Sequence, residues 1–131
     1  MILGLGVDIA EVSRIKAVVE RHGERFLKRV FTPAEIAYCR SRRNSYQRFA
    51  ARFAAKEAAM KALGTGLRRG ITWRDMEVAN QMGGKPSLKL SGRALEVFQG
   101  MGGVHIILSI THTRTIALAE VMIEGKSPVE D

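Results

Sequence analysis

The most informative residues of this sequence are a glutamate and a lysine placed one helical turn apart in an alanine-rich stretch. Glu57 and Lys61 lie within FAARFAAKEAAMKALGTG, residues 49–66. At 100° per residue their side chains project from one face of a helix, about 40° apart. The small side chains of Ala50 and Ala54 fall near that face, and we expect them to leave room for a ligand. A surface ion pair at this spacing would add only a few tenths of a kcal/mol, so the pair alone also fits an ordinary solvated helix.

Asp8 adds a second carboxylate from another element. It ends the apolar run ILGLGVDI, which predicts a strand over residues 2–8. One or two protein carboxylates, completed by water and substrate phosphates, commonly hold Mg²⁺. Asp8 and Glu57 therefore predict a Mg²⁺ site, with Mn²⁺ as an alternative. Three scattered histidines and one cysteine show no zinc-ligand spacing.

Phosphate-binding groups surround these carboxylates in the sequence. Guanidinium, ammonium and free backbone amide groups all bind phosphate oxygens. A histidine between two hydroxyls, His112 in SITHT, stands at the end of a predicted strand, where sites are often built. A turn histidine that is hydrogen-bonded to backbone is the alternative. The other candidates are Arg52, Lys56, Lys61 and the Gly64-Thr65-Gly66 stop.

The chain carries a formal net charge of +8, and the basic excess lies entirely in its first half. Residues 1–70 contain 15 Lys and Arg against 6 Asp and Glu, whereas residues 71–131 contain 6 against 7. This asymmetry indicates an anionic partner, although a basic face that keeps the protein in solution is the simpler alternative. The single cysteine, Cys39, excludes an intramolecular disulfide and predicts a reducing, cytoplasmic compartment. No apolar run reaches the ~18 residues that span a bilayer.

Helices and strands must both contribute to a scaffold for these residues. Apolar spacing and capping signals predict four helices. One lies in EVSRIKAVVERHG, a short one begins at about residue 33, a long one extends over about 45–63, and the last lies in SGRALEVFQG. Strands are predicted in MEVAN, PSLKL, VHIILSITHT and TIALAEVMIE. This order predicts an α+β fold in which helices pack on an antiparallel sheet. We expect one domain, residues 1–124, followed by a polar C-terminal tail, residues 125–131.

Four segments, in this order and spacing, resemble the holo-[acyl-carrier-protein] synthases, the small single-domain type of 4'-phosphopantetheinyl transferase. They are GVDIAEVSRI, FAARFAAKEAAMKALGTG, the GKP turn and SITHT, and the likeness extends over about residues 4–120. The resemblance implies the transfer of the phosphopantetheine arm of coenzyme A to a serine of apo-acyl carrier protein. Adenosine 3',5'-bisphosphate would be released, and the reaction would support fatty acid biosynthesis.

The resemblance also implies a role for each candidate residue. Asp8 and Glu57 would hold Mg²⁺ against the diphosphate of coenzyme A, and Lys61 would neutralise charge on the transferred group. Glu57 and Lys61 are thus the expected catalytic residues. The base that takes the serine proton is left open between Glu57 and a water near the metal. The residues expected to line the coenzyme A site are Arg52, Lys56, Lys61, Gly64, Thr65, Gly66, His112 and Thr113.

The family's assembly and carrier recognition extend these expectations. Its first helix meets an acidic helix of the carrier, which implies docking on Arg14, Arg21 and the nearby Arg25. A merely solvated basic helix is the alternative. The family works as a homotrimer with active sites at subunit interfaces, so a neighbouring chain would supply some coenzyme A contacts.

Two functions of other classes compete with this interpretation. A nucleic-acid-binding module would use the positive charge, but aromatic residues make up only 6% of the chain and are not interleaved with basic ones. We therefore expect neither nucleic acid nor a membrane as a partner. A non-catalytic carrier-binding relative is expected to have lost Asp8, Glu57 or Lys61, and all three are present.

Overall fold

The protein is seen in a computed structural model that describes residues 1–128. The last residues of the predicted tail, 129–131, lie outside the described part. The helices are α1 (Val12–His22), α2 (Glu24–Val30), α3 (Pro33–Arg40), α4 (Ser45–Leu63) and α5 (Gly92–Gly100). The strands are β1 (Ile2–Glu11), β2 (Met76–Asn80), β3 (Pro86–Leu90), β4 (His105–His112) and β5 (Ile116–Glu124), with one 3₁₀ turn at Trp73–Asp75.

Local signals account for the ends of two helices. α3 begins at Pro33 after a capping box, in which the Thr32 hydroxyl accepts from the Glu35 amide and the Glu35 carboxylate accepts from the Thr32 amide. α4 ends at Gly64, whose φ of 76° is a left-handed conformation that favours glycine. Both ends lie where the sequence predicts them.

The helix α2 is not predicted from the sequence. Gly23 indicates a stop, and the seven-residue segment that follows has no side-chain cap. It is helical because Leu27 and Val30 are buried, so packing supplies the stability that so short a helix lacks by itself.

The strands form two antiparallel sheets, one in the order β1–β5–β4 and one made of β2 and β3. The strand β1 is longer than predicted, since its pairing with β5 continues past Asp8 opposite Ala119 to Glu11 opposite Ile116. The prediction that the strand ends at Asp8 is therefore wrong. Because Asp8 lies inside a paired strand, the alternation of the strand fixes the direction of its side chain.

Helix α4 packs closely on one face of the three-stranded sheet. A Cβ at Gly6 would lie only 1.9 Å from the carbonyl oxygen of Ala58, and Gly4 approaches the same helix one turn further on. Ala50 and Ala54 are fully buried. The expectation that these two alanines leave room for a ligand is wrong, because atoms of the chain itself fill that space.

The opposite face of the same sheet is largely exposed and mostly apolar. Leu5, Val7 and Ile9 of β1 and Ile107 of β4 are between 42% and 56% exposed. Contiguous apolar surfaces of this kind commonly mark interfaces. We call it the uncovered sheet face, and it consists of Leu5, Val7, Ile9, Ile107, Ser109, Thr111, Leu118, Glu120 and Met122.

Candidate active site

Strand β1 and helix α4 bring Asp8, Glu57 and Lys61 into one cluster, which we call the carboxylate cluster. The Lys61 ammonium lies 3.5 Å from Oδ1 of Asp8 and donates to the carbonyl oxygen of Val7 at 3.1 Å. Oδ1 of Asp8 also accepts from the backbone amide of Ile9 at 2.9 Å. Glu57 is close enough for its carboxyl group to interact with that of Asp8. The three residues that sequence reasoning singled out are therefore neighbours in space.

The electrostatics of this cluster fit a divalent cation. Burial, and after it the neighbouring Asp8 carboxylate, raises the pKa of Glu57 to about 7, while Lys61 acts in the opposite direction. Oδ2 of Asp8 is buried and accepts no hydrogen bond from a nitrogen or hydroxyl donor of residues 1–128, so a protonated Glu57 carboxyl is the hydrogen-bonding neighbour of Asp8 when no cation is bound. A cation between the two carboxylates would satisfy that oxygen and remove their repulsion. Residues 1–128 contain no group of three or more His, Cys, Asp and Glu suited to a metal, so water and substrate would complete the ligands.

The end of α4 is open to solvent. The Lys61 side chain is 58% exposed, so an ammonium with three donors can also reach a phosphate oxygen. The amides of Gly64 and Thr65 both donate to the carbonyl oxygen of Met60 and end the helix. A Cβ at Gly64 or Gly66 would meet nothing within 4 Å. The turn thus offers an open surface beside Lys61, but two of its three amides are already engaged.

A second cluster, which we call the basic pocket, lies at the β4 edge of the sheet. Arg52 and His112 line it as predicted candidates, together with Arg48 and Asn80, which the sequence analysis did not single out. The Nε atoms of Arg48 and Arg52 are buried without hydrogen-bond partners. Unpaired guanidinium groups around a pocket are suited to an anion. Arg48 precedes Arg52 by one helical turn, and this spacing is the signal that could have identified it. The other lining residues are Ala51, Gly84, Pro86 and Ile110.

Thr113 supports this pocket indirectly. It lies in the turn between β4 and β5, where its hydroxyl accepts hydrogen bonds from the amides of Thr115 and Ile116 at 3.3 and 3.1 Å. The hydroxyl therefore stabilises the turn that presents His112. The predicted contact of Thr113 with coenzyme A stays a prediction.

Lys56 faces neither cluster. Its side chain is fully buried, and its Nζ lies 2.6 Å from Oε1 of Glu35 and 2.8 Å from the carbonyl oxygen of Val30. Burial lowers the pKa of Lys56, and the Glu35 carboxylate opposes the shift. Glu35 also accepts hydrogen bonds from the amides of Thr32 and Val78. The placement contradicts the expected contact between Lys56 and coenzyme A, because the ammonium is enclosed by the protein and ties α4 to α2 and α3.

The predicted docking residues lie on one side of the carboxylate cluster. Arg14, Arg21 and Arg25 are all exposed, on α1 and at the start of α2. A groove leads from Arg14 to Glu57 between apolar walls. Those walls are Ile9, Ala10, Ile15, Val18, Phe26 and Phe53.

Comparison with known proteins decides the family. A model of the 4'-phosphopantetheinyl transferase superfamily matches residues 4–118. The chain belongs to this superfamily. The match includes both clusters and the docking residues on α1, so all the candidate residues discussed above lie in the part that identifies the transferase.

Individual transferases are similar over nearly the whole chain. The chain is 56% identical over 124 residues to the holo-[acyl-carrier-protein] synthase of Koribacter versatilis. The aligned region covers 95% of this chain and 99% of that protein. The solved structure of Neisseria meningitidis holo-[acyl-carrier-protein] synthase has a TM-score of 0.86 at 34% identity and covers 95% of this chain and 99% of that one. The Helicobacter pylori synthase in complex with coenzyme A has a TM-score of 0.81 at 29% identity, covering 92% and 99%.

These likenesses confirm the family resemblance, the α+β fold with an antiparallel sheet, and the prediction of a phosphopantetheinyl transferase of the holo-[acyl-carrier-protein] synthase type. Within residues 1–128, no helix of this transferase is both long and apolar enough to cross a membrane. The cytoplasmic location, and the division into a domain of residues 1–124 and a tail, stay predictions.

Proposed function

We propose that this transferase moves the 4'-phosphopantetheine arm of coenzyme A to a serine of an apo-acyl carrier protein in a Mg²⁺-dependent reaction that supports fatty acid biosynthesis. The observation that carries the proposal is the carboxylate cluster, with its two adjacent carboxyl groups and its exposed lysine. Coenzyme A bound to the Helicobacter pylori relative supports the choice of donor.

Each member of the carboxylate cluster has a distinct task. Asp8 and Glu57 would hold the metal ion, and Mg²⁺ or Mn²⁺ would supply neutralisation of the diphosphate charge. Lys61 places a further positive charge beside the transferred phosphoryl group. A carboxylate has two oxygens, so one oxygen of Glu57 can remain free of the metal. Glu57 also borders the groove that begins at Arg14, and it is therefore placed to accept the proton of the carrier serine.

The bond changes are those of an in-line phosphoryl transfer. The serine oxygen attacks the phosphorus that bears the pantetheine, and the bond from that phosphorus to the bridging oxygen of the diphosphate breaks. The bridging oxygen keeps the electron pair and leaves as part of adenosine 3',5'-bisphosphate. Glu57 takes up the serine proton.

The basic pocket suits the remaining anion of coenzyme A, its 3'-phosphate. Within one chain, however, the two clusters lie at opposite edges of the sheet, with Asp8 on β1, His112 on β4, and β5 between them. Helix α4 covers the sheet face that separates them. We therefore propose a homotrimer in which the uncovered sheet face is buried and the basic pocket of one chain meets the carboxylate cluster of its neighbour.

The basic side of α1 fits an acidic carrier. Exposed arginines at the rim attract and orient an acidic helix, and the apolar groove between Arg14 and Glu57 accepts its apolar side chains. The carrier serine would then approach Glu57 directly from the groove.

The activity is tested by intact mass spectrometry of an apo-acyl carrier protein after incubation with the protein, coenzyme A and Mg²⁺. We expect a gain of one phosphopantetheine, its loss with EDTA, and its recovery when Mg²⁺ is added back. Asp8→Asn should abolish the gain at ordinary Mg²⁺ while the protein stays folded. A folded wild-type protein that modifies none of several carriers would refute the proposed function.

The shared site is tested by mixing Asp8→Asn, which should be inactive, with Arg52→Ala, which should be nearly inactive at a coenzyme A concentration far below its raised KM. In mixed trimers some interfaces join the intact carboxylate cluster of one chain to the intact basic pocket of its neighbour. Each intact cluster is present at half of the interfaces, so a 1:1 mixture should recover about a quarter of wild-type activity. Each variant alone is the matched control. A mixture as inactive as its components, with subunit exchange shown by mass, would place the whole site in one chain.

A further inference from the structure

The ring of Tyr38, on α3, contacts two arginines, and one of them, Arg52, lines the basic pocket. The Cζ atom of Arg52 is 4.3 Å from the centre of its ring, and that of Arg42 is 4.9 Å away. The Tyr38 hydroxyl accepts a hydrogen bond from Nδ2 of Asn80 at 2.9 Å. Arg52 and Asn80 both line the pocket, so Tyr38 contacts two of its walls from behind.

Arg52 depends on this ring for its environment. Its guanidinium belongs to a residue that is only 4% exposed, and in the part of the chain that the structure describes no carboxylate lies within 4.0 Å of it. A buried cation needs compensation, and the face of an aromatic ring attracts it. Unlike a carboxylate, a ring does not cancel the charge. Arg52 is therefore held in one orientation while its positive charge remains available to a ligand.

We propose that Tyr38 is a positioning residue for coenzyme A, and that its ring fixes Arg52 so that the guanidinium binds the 3'-phosphate in the basic pocket. This inference rests on the proposed function, in which the pocket takes that phosphate. Tyr38 itself does not touch the substrate. Its contribution is to selectivity for coenzyme A over 3'-dephospho-coenzyme A.

The first test compares Tyr38→Leu with Tyr38→Phe in steady-state kinetics. The leucine variant should raise the KM for coenzyme A about tenfold, since it removes a desolvated cation–ring contact. Its kcat and its KM for the carrier should stay within about twofold of wild type, because Arg52 does not act on the reacting phosphorus. The phenylalanine variant keeps the ring and should restore most of the affinity. With 3'-dephospho-coenzyme A, wild type and leucine variant should be alike.

The second test keeps the shape of the side chain, so it does not depend on whether the leucine variant folds. Starting from the Tyr38→Phe variant, the side chain is replaced by mono-, di- and trifluorinated phenylalanine, which weaken the ring's attraction for a cation stepwise at nearly constant size. Binding of coenzyme A is measured by calorimetry without carrier. The dissociation constant should rise along the series for coenzyme A and stay level for 3'-dephospho-coenzyme A.

The outcomes separate this inference from the proposed function. A flat fluorine series, or equal losses for the two donors, would overturn the role of Tyr38 even if transfer is normal. Absence of transfer by a wild-type protein that binds coenzyme A would instead refute the proposed function, and the calorimetric series would still decide the role of the ring.

Discussion

Replacing Gly6 by alanine should separate β1 from α4 and damage both stability and catalysis. A Cβ at this position would lie 1.9 Å from the carbonyl oxygen of Ala58, whereas ordinary van der Waals contact begins at 3.4 Å. Strand and helix must therefore move apart by about 1.5 Å, because a backbone oxygen cannot rotate away as a flexible side chain can. We expect a loss of about 2–3 kcal/mol in the free energy of unfolding, the upper part of the range for overpacking.

The same movement reaches the carboxylate cluster. Asp8 is two residues from Gly6 on β1, and Glu57 precedes Ala58 on α4, so a separation at the contact changes the distance between the two carboxyl groups. A misplacement of about 1 Å can lower the rate of a positioned reaction by about 10²-fold. We expect kcat to fall by about this factor at a temperature where the variant is fully folded.

Thermal unfolding and mass-spectrometric transfer assays check both effects. The unfolding midpoint should fall by about 6–12 °C for a chain of this size. Gly100→Ala is the matched control, because a Cβ at the end of α5 would meet nothing within 4 Å, and it should be neutral or slightly stabilising. A Gly6→Ala protein with the midpoint and kcat of wild type would refute the reasoning from close approach.

Three further predictions follow from charged residues. Lys56→Met should lower the free energy of unfolding, measured in urea, by about 3–5 kcal/mol, because it leaves the buried Glu35 carboxylate without its cation. Adding Glu35→Gln should recover part of that loss. Equal stability of the Lys56→Met variant and wild type would contradict this prediction. Because the pKa of Glu57 in the folded state is raised from 4.5 to about 7, its protonation stabilises the fold, and this stabilisation, complete below about pH 4.5, is lost as pH rises through 7. Between pH 5 and 8, the free energy of unfolding of the metal-free protein should therefore fall by about 1 kcal/mol more than that of Glu57→Gln, after allowance for solvent screening. An identical dependence of stability on pH in the two proteins would contradict this prediction. Arg14→Glu should raise the KM for the carrier much more than that for coenzyme A, with Lys126→Glu as the control, and equal effects on both substrates would exclude a docking role.

Much of the carboxylate cluster could be predicted because its spacing is local. Glu57 and Lys61 are four residues apart, and the period of the helix alone places them on one face. Asp8 joined them as a second carboxylate that would suit Mg²⁺, although the strand that carries it runs three residues further than its apolar pattern indicates.

The chemistry of Lys56 could not be predicted in the same way. One residue before Glu57, it points in a different direction, into a pocket made by Glu35 and Val30. Which direction is buried depends on elements far away in the sequence. A lysine next to a candidate metal ligand looks the same in the sequence whether it binds a phosphate or an internal carboxylate.

By itself the sequence determined the α+β class, the bounds of α4, the membership in a transferase family and the identity of the carboxylates, because helix period, capping and short motifs are local properties of the chain. Only the tertiary structure decided that Arg48 and Asn80 line the basic pocket and that Tyr38 contacts Arg52 without lining it. It alone also decided that this pocket and the carboxylate cluster lie at opposite edges of one sheet. The physical reason is that strand order and helix packing are set by contacts between distant segments, and these contacts determine which charges meet, which are buried, and which are left for a ligand or a neighbouring chain.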